Sequence, residues 1–139
     1  MVQTQVAGSS VADFAAGCHV LWLEAEQFDN LGGWVNDAQF VDLMGSPYLL
    51  ATGMGTPVAD AETTAPIPTS GVYRLWVRSR DWHPQHHPGQ FQILLNGTPV
   101  QHVFGRSGNS GWQWEDGGVH ELADSARIAL HDLTGYYSR

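Results

Sequence analysis

Carboxylates set beside indoles, and imidazoles crowded into one loop, are the residues of this chain with chemistry to offer. Glu24-Ala25-Glu26 places two carboxylates on alternate positions. On a strand from Val20 to Phe28 they share a face about 7 Å apart, twice the rise per residue. Such a pair can contribute to a Ca²⁺ shell, which wants about six to eight oxygens. It can also act as acid and base at glycosidase-like separation, or be nothing more than a solvated strand face. Asp81-Trp82-His83-Pro84-Gln85-His86-His87-Pro88 packs three histidines into a proline-punctuated loop. Imidazoles at that density can chelate zinc or copper. No Cys or carboxylate at a familiar metal spacing accompanies them, so a plain polar loop stands beside the metal reading.

The chain holds six tryptophans, most of them next to Gly, Asp or Gln. Trp34 follows Gly32-Gly33, Trp82 lies between Asp81 and His83, and Trp112 and Trp114 flank Gln113. Loops on a rigid scaffold are where contact residues are displayed. A flat ring beside hydrogen-bonding groups suits a sugar, which offers an apolar face to stack and hydroxyls to satisfy. Trp34, Trp82, Trp112 and Trp114 are therefore candidate stacking platforms, with Asp81, His83 and Gln113 as polar partners. The competing reading is that these rings seal a small core. The sequence carries no G-x-S-x-G elbow, G-x-G-x-x-G loop, Walker sequence or C-x-x-C. A hydrolase or lyase would have to work with Glu24 and Glu26, or with a metal at His83, His86 and His87.

What must position these residues is a β scaffold. At 139 residues the chain has the length of one domain. Charged residues make up 14%, while 16 glycines and 7 prolines punctuate the chain, which favours short strands over long amphipathic helices. Residues 1–19 read as a linker or N-terminal arm, and 20–139 as the domain. Gly71 to Arg80 alternates cleanly, with Tyr73, Leu75 and Val77 inward and Arg74, Trp76 and Arg78 outward. Phe91–Leu95 and Pro99–Phe104 flank Asn96-Gly97, a strong hairpin signal. Shorter strands are expected at 38–42, 48–52, 61–65, 119–122 and 127–131. About eight short strands without helical periodicity predict an all-β antiparallel β-sandwich.

A net charge of −8 with no basic run argues against nucleic acid and against an anionic membrane surface. No apolar stretch is long enough to span a bilayer as a helix. The single Cys18 allows no intramolecular disulfide, and the first ten residues lack the basic and apolar regions of a signal peptide.

Several of these motifs fall in an order that resembles a known family. Trp22-Leu23-Glu24-Ala25-Glu26, Gly32-Gly33-Trp34 and Met44-Gly45-Ser46-Pro47-Tyr48-Leu49-Leu50-Ala51 are followed by Gly71-x-Tyr73-Arg74-x-Trp76-Val77-Arg78. Asp81-Trp82, Phe104-Gly105 and His131-Asp132-Leu133-Thr134-Gly135 complete the series. Together, over about residues 20–137, they are similar to the golvesin and xanthan-lyase-type accessory domain of secreted bacterial polysaccharide-degrading proteins. The same domain is also found attached to FAD-dependent oxidoreductases. The resemblance implies a jelly roll of the galactose-binding-like kind, a non-catalytic carbohydrate-binding role towards a polysaccharide or oligosaccharide, and an extracellular or periplasmic location.

In calcium-binding modules of that kind the Glu-x-Glu strand supplies structural Ca²⁺ ligands, here Glu24 and Glu26. Similar domains continue into a final strand whose Asp completes the site. This chain stops at Arg139, so the expectation is a sandwich lacking its last strand, by truncation or because another chain pairs at the open sheet edge. A metal cage one charge short, helped at most by Asp132 or Asp42, is expected to bind Ca²⁺ weakly or not at all.

Overall fold

Alternation carries the second half of the chain into strands whose parity decides what is buried. The computed structural model describes residues 2–6, as strand backbone, and residues 20–139. Strands β1 (Val2–Val6) and β2 (Val20–Leu23) open the chain, followed by a 3₁₀ turn at Ala25–Gln27, β3 (Trp34–Asp37), a helical turn α1 (Val41–Met44) and β4 (Tyr48–Ala51). Then come β5 (Ala61–Pro66), β6 (Gly71–Arg80), β7 (Phe91–Leu95), β8 (Thr98–Pro99), β9 (Trp112–Leu122) and β10 (Ser125–Asp132).

Two four-stranded antiparallel sheets, in the orders β2-β1-β6-β9 and β5-β10-β7-β8, form the sandwich, and β3 and β4 pair as a small third sheet. The core lies between the two large sheets. Tyr73, Leu75 and Val77 of β6 belong to one buried cluster with Phe91 and Ile93 of β7 and Ile128 and Leu130 of β10. The fold is thus an all-β antiparallel sandwich. The Asn96-Gly97 turn works as its sequence says: both residues have positive φ, 50° and 84°, as a two-residue hairpin turn requires.

Other expectations shift. The strand expected to run from Val20 to Phe28 ends at Leu23, because Ala25 and Phe28 turn inward into the core. Glu24 and Glu26 therefore do not alternate along one strand. The segment 38–42 is a connection and the start of α1, which Gly45 closes with φ 80°. Beyond Pro99 the second hairpin strand dissolves, and Phe104 makes an isolated bridge to Phe91. In the opposite direction, β9 begins at Trp112, seven residues before the expected strand at 119–122. It carries a register shift opposite Arg74 and Trp76, where Gly117 and Gly118 lie. Gly117 packs on Leu75 so closely that a Cβ would sit 2.7 Å from its Cδ2, and Gly118 adopts φ 82°. Of the lead-in 1–19, β1 lies between β2 and β6, with Gln3 in register with both Trp22 and Trp76. The remainder, Cys18 included, lies outside the described residues.

The last residues fold back over one end of the sandwich. Asp132 is buried and its carboxylate accepts four hydrogen bonds, from the Val58, Thr134 and Gly135 amides and the Ser138 hydroxyl, at 2.8–3.2 Å. The Ser138 and Arg139 carbonyls accept from the Ala51 and Arg80 amides, so the tail links β4 to β6.

Candidate functional site

Strand parity gathers the exposed indoles on the outer face of the first sheet. Because Tyr73, Leu75 and Val77 point inward, Arg74, Trp76 and Arg78 point out. Across the ladder to β9, Trp76 is in register with Asp116 and Arg78 with Trp114, while on the far side Trp22 occupies the same parity. Trp22 is 47% exposed and Trp114 39%, and their rings meet edge to face with centroids 5.9 Å apart. The Trp22 indole N–H donates to Glu24 Oε1 at 2.6 Å, so its polar end is satisfied by the protein while a ring face stays open. Arg74 lies 3.5 Å from Asp116, both well exposed, a pairing that contributes little to stability on its own.

The residues singled out from sequence divide between three places. Trp34 is a correction: it is 3% exposed and packs edge-on against Phe91 in the core, so it offers no ring face to a ligand. Trp112 is partly buried. It lies beneath the cap formed by α1 and β4, in edge contact with Phe40 and Tyr48 beside Met44 and Leu50. Trp114, two residues on, shares its parity but lies clear of this cap. Gln113 has the opposite parity, in register with buried Ser79.

Asp81 is a second correction. It is 1% exposed and accepts from His87 Nδ1 at 2.5 Å and the Gly108 amide at 2.9 Å, which withdraws it from any sugar hydroxyl. Trp82 and His83 form a separate group at the end of β6. The Trp82 indole donates to the Tyr136 carbonyl and its ring meets His83 and Tyr137 edge-on.

Groups proposed for catalysis do not converge. The His83 and His86 rings lie tilted to each other with centroids 4.7 Å apart, but His87 is committed to Asp81. Among the described residues no cluster of three or more His, Cys, Asp or Glu is arranged to hold a metal ion. Glu24 Oε2 and Glu26 Oε2 are each buried without a hydrogen-bond partner. Burial, with the neighbouring Glu24 carboxylate adding to it, pushes the Glu26 carboxyl up from its ordinary range. Asp132 cannot join them, since its oxygens are taken by the turn it organises, and Asp42 is an exposed residue of α1.

A polar constellation that sequence reading missed lies inside the edge of the sandwich. Glu115, inward-facing on β9, accepts from the Ser79 hydroxyl, from His102 Nε2 at 3.0 Å and from the Gly105 amide at 3.3 Å. His102 and His120 line an open cleft of about 720 Å³ between the two sheets. The His120 Nε2–H donates to the Gly117 carbonyl. The signal available for Trp22 and Trp76 was parity: each lies one position away from an inward residue. Judging tryptophans by their sequence neighbours instead promoted Trp34 and passed over these two.

No protein-family model, no curated protein and no solved structure matches the chain.

Proposed function

We propose that the chain is a non-catalytic carbohydrate-binding module whose contact surface is the outer face of the first sheet, with Trp22, Trp76 and Trp114 as its platform. The observation that carries this reading is the uncovered Trp22–Trp114 pair. Two large rings left in water cost hydration free energy, and stacking on a sugar ring recovers it. Arg74 and Arg78 border the rings and supply donors for hydroxyls. Affinity is modest, because a shallow surface orders few groups and covers little area. The motif resemblance to the accessory domain of secreted polysaccharide-degrading proteins supports the same reading.

Calorimetric titration against xanthan, pectin, xylan and host-type glycans tests it, alongside Trp22→Ala and Trp114→Ala. Binding to at least one glycan that either substitution weakens about tenfold or more is the expected result. Silence across the panel, or binding indifferent to both substitutions, rejects it.

One further observation favours a structural metal. The partnerless oxygens of Glu24 and Glu26 fit hard-cation ligands, so Ca²⁺ held there, completed by backbone carbonyls and water, would fasten the end of β2 to the turn that follows.

A further inference from the structure

The cationic end of the sandwich, where the tail meets the α1–β4 cap, is built unlike the rest of an acidic chain. Arg78, Arg80 and Arg139 gather there. Arg80 and Arg139 both lie over the Phe40 ring, at 4.2 and 5.6 Å from its centroid. Among the described residues Arg74 is the one arginine within salt-bridge distance of a carboxylate; Arg139 is hydrogen-bonded to the Tyr48 hydroxyl, so no carboxylate pairs with any of these three guanidinium groups. Arg78 Nη1 donates to the Met44 carbonyl and Arg80 Nε to the Ser110 carbonyl, neutral partners that leave the charge in place. Burial, and then repulsion from Arg139, lower the hold of Arg80 on its proton. Asp37 of β3 is engaged by the Tyr48 hydroxyl.

A small cavity of about 20 Å³ opens at this place, lined by Trp34, Trp112, Arg78 and Arg139 among apolar walls that include Val77, Phe91 and Leu130. Three of its lining residues carry a buried donor with no partner: Trp34 Nε1, Trp112 Nε1 and Arg139 Nε. Trp34 is itself 3% exposed. Buried donors in native proteins are nearly always satisfied, so three on residues that line one cavity favour an acceptor there. A water molecule fits the volume, yet it offers two lone pairs to three donors and neutralises no charge. A monatomic anion accepts from all three and compensates the guanidinium groups, in surroundings where low polarity strengthens both effects.

We propose that this cavity is a binding site for a small halide-sized anion, chloride or bromide, held by the indole N–H groups of Trp34 and Trp112 and by Arg139. The site is separate from the carbohydrate platform, since Trp22, Trp76 and Trp114 do not line it, and the two share Arg78 alone. Its role is to fasten the tail and the α1–β4 cap to β6.

The test compares thermal melting in sodium chloride, bromide, gluconate and sulfate at matched ionic strength. A saturable rise in Tm with chloride and bromide over gluconate is expected, growing with concentration over the dissociation constant. Bromide should also quench a fraction of the tryptophan fluorescence over the same range. Trp112→Phe and Arg139→Gln, which keep ring or chain volume while removing a donor, should each raise the apparent chloride constant about tenfold. Trp34→Phe should do the same if it folds, and the other two variants decide the matter if it does not. Identical melting in chloride and gluconate overturns the proposal. So does an equal response to sulfate, which marks general screening, or a halide response unchanged in Trp112→Phe and Arg139→Gln.

Discussion

Trp34 and Trp114 both begin as tryptophans near glycine-rich turns, and they finish in opposite surroundings. Trp34 starts β3, follows a turn whose Gly32 takes φ 55°, and is driven edge-on into Phe91. Trp114 lies on β9 at outward parity and keeps 39% of its surface in water beside Trp22. One is sealed by the end of the sandwich; the other stands on an open sheet. The difference teaches that neighbouring residues in sequence do not decide what an indole is for. The sheet it joins and the parity of its position do.

The sharpest way to break this comparison is to truncate both rings. Trp34→Ala should cost about 3–5 kcal/mol, the range for removing a large buried aromatic. Trp114→Ala should cost under about 1.5 kcal/mol, the worth of an edge-to-face pair at a half-exposed site, while weakening glycan binding. Denaturant unfolding of the two variants measures both numbers. Equal stability losses would mean that the outer face is core to something.

Asp132→Ala comes next. Four donors lose their acceptor: the Thr134 and Gly135 amides of the turn, the Val58 amide brought against it, and the Ser138 hydroxyl. A loss of about 2–4 kcal/mol is expected, with faster amide exchange at Thr134 and Gly135. Asp132→Asn, which retains one acceptor oxygen, should recover part of the loss.

Tyr48 tests the cap that hides Trp112. Burial, and then the hydroxyl's 2.5 Å hydrogen bond to Asp37 Oδ2, push the Tyr48 phenol up to about 12. A folded-state value above the unfolded one favours the neutral form in the native protein. This contribution is therefore fully present below about pH 10 and is lost as pH rises towards 12, on the order of 2–3 kcal/mol in all. Absorbance of the phenolate should show one tyrosine titrating late, and Tyr48→Phe should remove both that signal and this part of the alkaline loss of stability.

The legible part of the fold was the part governed by period. Gly71–Arg80 alternates without interruption, so its inward trio could be named from sequence, and Asn96-Gly97 announced its turn through the φ > 0 that both positions must adopt. Trp112–Asp116 was illegible because Gly flanks it and charges interrupt it. Its strand character comes from pairing with β6, a long-range contact no local window contains. The site was harder still. Asp81 beside Trp82 looks like an exposed sugar grip, yet a carboxylate able to collect His87 and the Gly108 amide is more stable turned inward. Trp22 and Trp114, 92 positions apart and on the two edge strands of the first sheet, meet because both lie at outward parity on one face.

The smallest expected effect concerns Glu24 and Glu26, the pair that stands between the open face and the buried turn beneath it. Glu24 gives one oxygen to the Trp22 indole, and the second oxygen of each carboxylate is buried without a partner. Burial first, and the Glu24 charge after it, raise the Glu26 carboxyl, so the native state disfavours its ionised form. A raised folded value means that stability is greatest below the unfolded carboxyl range and declines as pH rises through the folded one. At neutral pH this group therefore works against folding in a metal-free buffer. Glu26→Gln removes the charge while keeping the shape, so in EDTA it should raise Tm, by about 1–2 °C because solvent screens a half-exposed group. Millimolar Ca²⁺ should reverse the order. The cation neutralises both carboxylates and raises the wild-type Tm with concentration over its dissociation constant, and it leaves Glu26→Gln unmoved. Wild-type melting curves that coincide in EDTA and in Ca²⁺ would remove the metal from this site and leave the carboxylate's burial as its whole explanation.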